Sequence, residues 1–190
     1  MEQVKLGRQS TQVKMFITMF LVVMTFGYFM AVFNIWTSMD GIKEVTTEVT
    51  TPDGIKTVKE VKIQSLWIYE GVVNHYRGSE KDPAAYPGMD LPTMTSATHT
   101  HLIAMGLLVF CLGLLFIFTT TLPSWLKGFV LVASFAAVII DIGSMWVIKY
   151  VAGWGAYLMI FSGMLLGLCI LFEIVIPLYE MWIKKEQAAS

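Results

Sequence analysis

The sequence predicts an all-α membrane fold: a bundle of four transmembrane helices, with a periplasmic loop containing a β-hairpin between helices 1 and 2. Three observations carry this. The 190 residues are 56% hydrophobic and only 14% charged, too apolar and too sparsely charged for a soluble domain. The apolar residues come in four long blocks, Met15–Trp36, His101–Leu122, Leu126–Ile148 and Ala156–Leu178. A helix needs about 20 such residues to cross the hydrocarbon core, and each block has enough.

Taken in order, residues 1–14 are a cytoplasmic tail and 15–36 the first helix. This block is too long for a signal-peptide core of about 7–15 residues, and no small-x-small cleavage site follows it, so it reads as an uncleaved anchor. Residues 37–98 form the periplasmic segment. Within it, 43–63, "KEVTTEVTTPDGIKTVKEVKI", alternates β-branched or apolar residues with polar ones around a "TPDG" turn, the pattern of a two-stranded hairpin. Residues 66–78, "LWIYEGVVNHYRG", read as a short interfacial aromatic helix. It lies on the outer leaflet or over the bundle mouth, and Trp67, Tyr69, Tyr76 and Arg77 are its candidates for docking a partner. The Pro- and Gly-rich "SEKDPAAYPGMDLP" is a connector. The remaining helices are 99–122, 126–149 and 154–180, and 181–190 is a second cytoplasmic tail.

Orientation follows from lysine and arginine in the short flanks. Lys5, Arg8 and Lys14, then Lys127, then Lys184 and Lys185 all fall on one side of a four-span chain. That side is expected to be the cytoplasm of a bacterium, which makes this an inner-membrane protein. The long loop carries nine acidic and six basic residues, but long loops cross largely regardless of charge.

The composition also excludes. A net charge of −1 gives no basic patch for nucleic acid. The two cysteines, Cys111 and Cys169, fall inside spans, with no C-x-x-C and no C-x-x-C-H, so covalent haem, zinc-ribbon and thioredoxin-like sites are unsupported. No nucleophile–base pair or acid pair stands out, which argues against independent catalysis.

Within the spans, Gly163 and Gly167 form a small-xxx-small pattern with Gly155 nearby, which serves intrachain packing or, alternatively, a homodimer seam. The thirteen methionines are mostly soft filler, though Met89, Met94 and Met105 loosely flank a histidine pair. Two acids are buried charges. Glu173 lies near the inner end of the fourth span, within reach of the interface. Asp141 is deeper, and a central acid costs about 2.5–3.5 kcal/mol on insertion scales. It needs an interior position and a partner, and His101 lies at matching depth.

Two of the three histidines, His99 and His101, stand in "SATHTHLIAMG" at the mouth of the second span. Residues two apart on a helix point roughly 200° apart, so they do not face together. Thr95, Ser96 or Thr98 is the expected N-cap. Four readings are open: interfacial hydrogen bonding to loop carbonyls; haem b ligation by His101 or His99, with His75 as the second ligand; a copper or zinc site from His75, His99 and His101; and proton handling by His101 with Asp141.

The succession "HTHL", "LPSWLKG", "DIGSMW", "AYLMIFSGMLLGL" and "LYEMW" resembles a family of uncharacterised four-span bacterial inner-membrane proteins. The likeness covers His99–Trp182, with an echo at "GVVNHYRG". Some relatives carry a c-type haem motif in the periplasmic segment and look like membrane-tethered electron carriers or partners of cytochromes. This chain has no such motif, so that role does not carry over. The resemblance implies the four-span frame, His99 and His101 at the mouth of the second helix, and Asp141 with Trp146 in the third.

The leading expectation is a non-catalytic membrane subunit associated with respiratory or cytochrome electron transfer, docking a periplasmic redox partner and holding a haem b. The competing reading is a cofactor-free structural or assembly protein. The third is a proton or metal-ion conduit, against which stands the lack of a broken helix or an internal repeat.

Overall fold

The computed structural model describes residues 5–39, 42–51, 54–63, 69–80, 83–84 and 86–184. Four helices are long and apolar enough to cross a membrane: α1 (Thr11–Met39, apolar over Thr11–Phe33), α3 (Leu91–Ile117), α4 (Ser124–Tyr150) and α5 (Gly155–Trp182). Between α1 and α3 lie two strands, β1 (Ile42–Thr51) and β2 (Gly54–Ile63), and a short helix, α2 (Tyr69–Tyr76). The strands pair antiparallel, from Ile42 opposite Ile63 to Thr51 opposite Gly54. The expected "TPDG" turn falls in part on residues outside those described.

The bundle is built on α4 and α5, which share the most extensive interface; α3 packs on both, and α1 lies against α5. The interior between α3, α4 and α5 holds Met94, Val109, Leu112, Ala137, Ile148 and Ala156, all without exposure. α1 is peripheral. A stripe through Ile17, Phe20, Leu21, Met24 and Tyr28 packs inward, while Phe16, Phe26 and Phe29 stay exposed. Large exposed apolar side chains recur round all four helices, as a lipid-facing surface requires.

The helix ends differ from the sequence reading at α3. It starts at Leu91 rather than 99, because Asp90 is its N-cap and accepts a hydrogen bond from Thr93 N at 3.2 Å. Thr95, Ser96 and Thr98, the expected caps, lie inside the helix. Pro92 sits in the first turn, where its missing N–H costs nothing. Part of the apparent connector is therefore helix. α3 also stops at Ile117, short of 122. Lys127 Nζ donates to Ile117 O at 3.0 Å and Thr119 O at 2.7 Å, satisfying carbonyls at the negative end of the helix dipole.

α2 packs over one end of the bundle, against α4 and α5. Val72 and Tyr76 are buried, and Tyr69 stacks on Tyr157 with ring centroids 4.7 Å apart. The connector folds back on α2: Ser79 N donates to Tyr86 O at 3.0 Å and Met89 N to Tyr76 O at 3.1 Å. Gly88, at φ +75°, permits this, since a Cβ there would sit 2.7 Å from the Arg77 carbonyl carbon.

The opposite end is clamped by side-chain hydrogen bonds. Glu180 Oε2 accepts from Thr120 N at 2.6 Å, Thr121 N at 3.0 Å and Thr121 Oγ1 at 2.9 Å, tying α5 to the α3–α4 turn. Lys14 Nζ donates to Met181 O at 2.9 Å, and Trp182 Nε1 to Thr18 Oγ1 at 2.9 Å, which fastens α1 to the end of α5.

Candidate functional site

A polar cluster lies in the α2-side half of the bundle and draws on five helices. Asp141 of α4 is its centre. Its hydrogen-bond partner is Ser162 of α5, with Ser162 Oγ 3.1 Å from Asp141 Oδ1. Tyr28 of α1, Tyr76 of α2 and His101 of α3 stand close enough for charge on Asp141 to act on them, or theirs on it. The expected His101 partner is thus a neighbour at matching depth, while the direct contact falls to a serine. Burial pushes the Tyr76 phenol well above its ordinary value of 10.0, and the Asp141 charge adds to the rise.

His101 is exposed on the flank of α3. Its Nδ1 lies 2.8 Å from Ala97 O. A carbonyl only accepts, so Nδ1 carries the proton, and a neutral ring keeps its lone pair on Nε2 at the far edge. A histidine that ligates a metal ordinarily donates its other N–H in this way. His99 is also exposed, two residues earlier and on another side of the helix. His75 is partly buried on α2, with its ring edge-to-face to Tyr76 at 4.7 Å. Trp146 Nε1 donates to Thr98 Oγ1 at 2.9 Å and so pins the first turns of α3 to α4 beside this pair. Among the described residues, no group of three or more His, Cys, Asp or Glu side chains is arranged to hold a metal ion, so the three-histidine copper or zinc site is not preassembled.

The glycine pattern serves the same region. A Cβ on Gly163 would lie 3.8 Å from Asp141 Oδ1, and one on Gly167 only 3.0 Å from the Tyr28 hydroxyl. Both glycines face side chains of their own chain, which is intrachain packing. Gly155 turns into α5 against Val147 and Ile148.

Of the residues expected to dock a partner, Trp67 lies outside the described residues. Tyr76 is only 8% exposed and faces the bundle, and Tyr69 is stacked and partly buried. Arg77 is exposed, its Nη1 3.5 Å from Val151 O.

Glu173, read from the sequence as a buried charge, has no exposure, and Ser134 of α4 lies against it, Oγ 3.0 Å from Glu173 Oε1. Sequence reasoning passed over Ser134, Ser162 and Tyr28. The available signal was a lone hydroxyl in an apolar run facing an intramembrane acid on the antiparallel neighbour.

Four apolar spans around a closed core, with ionisable groups turned inward, define a multi-pass membrane protein. Residues 67–188 match the Aq_1264_TM family, a transmembrane helical domain, and the chain belongs to that family. No curated protein and no solved structure matches it.

Proposed function

We propose that the chain is a non-catalytic subunit of a bacterial inner-membrane electron-transfer assembly, with His101 as an axial ligand to haem b. The observation that carries this is the Nδ1 contact to Ala97 O, which fixes the ring and leaves Nε2 as a donor atom on an uncovered helix flank. A bound haem b would supply one-electron transfer. With His75 edge-on to Tyr76 and His99 on another side of α3, any second haem ligand would come from a partner.

In this reading both termini are cytoplasmic, supported by Lys14, Lys127 and Lys184 gathering at the end of the bundle opposite α2. Segment 37–98 then faces the periplasm and meets the partner, with Arg77 at the rim.

The test is a reduced-minus-oxidised absorption spectrum of the protein purified with its partners from the native host. The expected result is a haem b α band that His101→Ala abolishes and His99→Ala leaves intact. A haem-free assembly, or an undiminished band in His101→Ala, overturns the reading.

A further inference from the structure

The α4–α5 interface uses one arrangement twice, in reciprocal order. Asp141 of α4 meets Ser162 of α5, and Glu173 of α5 meets Ser134 of α4. Each serine also reaches back to its own helix: Ser162 Oγ lies 3.0 Å from Met159 O, and Ser134 Oγ 2.9 Å from Leu131 O. A hydroxyl has one hydrogen, and a carbonyl can only accept it. Both contacts at each serine are hydrogen bonds together only if the serine donates to the carbonyl and a protonated carboxyl donates to the serine. The alternative, an ionised carboxylate in an apolar interior holding a share of one hydroxyl, leaves a buried charge without adequate hydrogen bonding and is disfavoured. The geometry therefore favours two neutral acids.

Glu173 has further marks of a proton site. It has no exposure, and its Oε2 has no hydrogen-bond partner among the described residues. Pro177 lies inside α5 four residues on, and lacks the N–H that would otherwise bond the Glu173 carbonyl. Acceptor capacity is thus left open at one level of the helix. Between the two acids stands the Tyr28 hydroxyl, against Gly167. Gly167 lies ~7.5 Å along α5 from Ser162 and ~9 Å from Glu173, taking 1.5 Å per residue. Beyond Glu173, towards the end opposite α2, Glu180 is 1% exposed, and its Oε1 likewise has no partner among the described residues. Lys184 meets the same turn there, its Nζ 3.1 Å from Thr120 Oγ1.

We propose that these groups form a proton path through the bundle, from Asp141 past the Tyr28 hydroxyl to Glu173 and out at Glu180. Starting from the two neutral acids, Glu173 first gives its proton through water to Glu180 Oε1, and Glu180 releases it at the far end. The Tyr28 O–H then gives its proton to the emptied Glu173 carboxylate as Asp141 gives its own to the Tyr28 oxygen. Asp141, now a carboxylate, takes up a proton at the α2 end and is neutral again. Each group returns to its starting state, no electron moves, and one positive charge crosses. The path is independent of any haem on His101.

The experiment uses the full chain in phosphatidylcholine vesicles that enclose a pH-sensitive dye, with a valinomycin–potassium potential as driving force. Wild type acidifies or alkalinises the lumen faster than protein-free vesicles, in the sense of the potential. Asp141→Asn and Glu173→Gln fall to the protein-free rate, and Glu173→Asp keeps part of the flux. If Glu173→Gln fails to fold, Ser134→Ala carries the same test through a slowed flux. Wild type at the protein-free rate, or a folded Glu173→Gln at the wild-type rate, overturns the proposal; in the fallback, so does an unslowed Ser134→Ala.

Discussion

The Tyr28 hydroxyl stands 3.0 Å from the place a Cβ on Gly167 would occupy, so this glycine exists to admit a phenol from the peripheral helix. Few other side chains of α1 are drawn inward, and Tyr28 is the polar one of that stripe.

Gly167→Ala should therefore destabilise the bundle by about 1 kcal/mol through overpacking. In a Tyr28→Phe background the penalty should vanish, because the clashing oxygen is gone. Gly163→Ala should be mild in either background, since its nearest neighbour, Asp141 Oδ1, is at ordinary contact distance, 3.8 Å. Thermal unfolding in detergent of the four combinations forms a double-mutant cycle. Equal penalties for Gly167→Ala in both backgrounds would show that Tyr28 is not what the glycine accommodates.

Glu180 joins α5 to the α3–α4 turn through two backbone N–H groups and the Thr121 hydroxyl. Glu180→Ala takes the acceptor from those part-buried donors, at a cost of about 1–2 kcal/mol. Thr121→Val removes one of the three bonds and should cost about 1 kcal/mol. Melting temperatures order the variants, and a Glu180→Ala protein as stable as wild type would refute the clamp.

Two groups outside the spans set opposite pH limits. The side-chain hydrogen bond from Thr93 holds Asp90 below its ordinary value of 3.8. Its capping contribution is complete above that value and is lost as pH falls through the lowered one. Tyr76, raised above 10.0 by burial, contributes stability that is complete below 10.0 and lost as pH climbs through the raised value. The stability difference between wild type and Asp90→Ala should therefore narrow in acid. An ultraviolet titration should show phenol absorbance that appears only as the protein unfolds, and Tyr76→Phe should lower that late amplitude by one tyrosine. A constant acid difference, or an unchanged titration in Tyr76→Phe, would contradict these assignments.

The four spans were legible in the sequence because crossing hydrocarbon is a matter of length and composition, and α4 and α5 begin and end within two residues of the reading. Asp141 was legible for a related reason: an acid in an apolar run must face inward whatever the neighbours are. What faces it was not, because serine, tyrosine and histidine at many positions share that depth. The helix arrangement decided it, bringing Ser162 rather than His101 into contact and setting Ser134 on Glu173. The start of α3 was misplaced for a local reason, since threonine, serine and aspartate all cap well, and the fold-back of the connector on α2 selected Asp90. Sequence alone thus determined that the chain spans the membrane four times and must bury acid. Tertiary structure decided which hydroxyl shields each acid, because hydrogen bonds between helices depend on rotation and register that hydropathy does not encode.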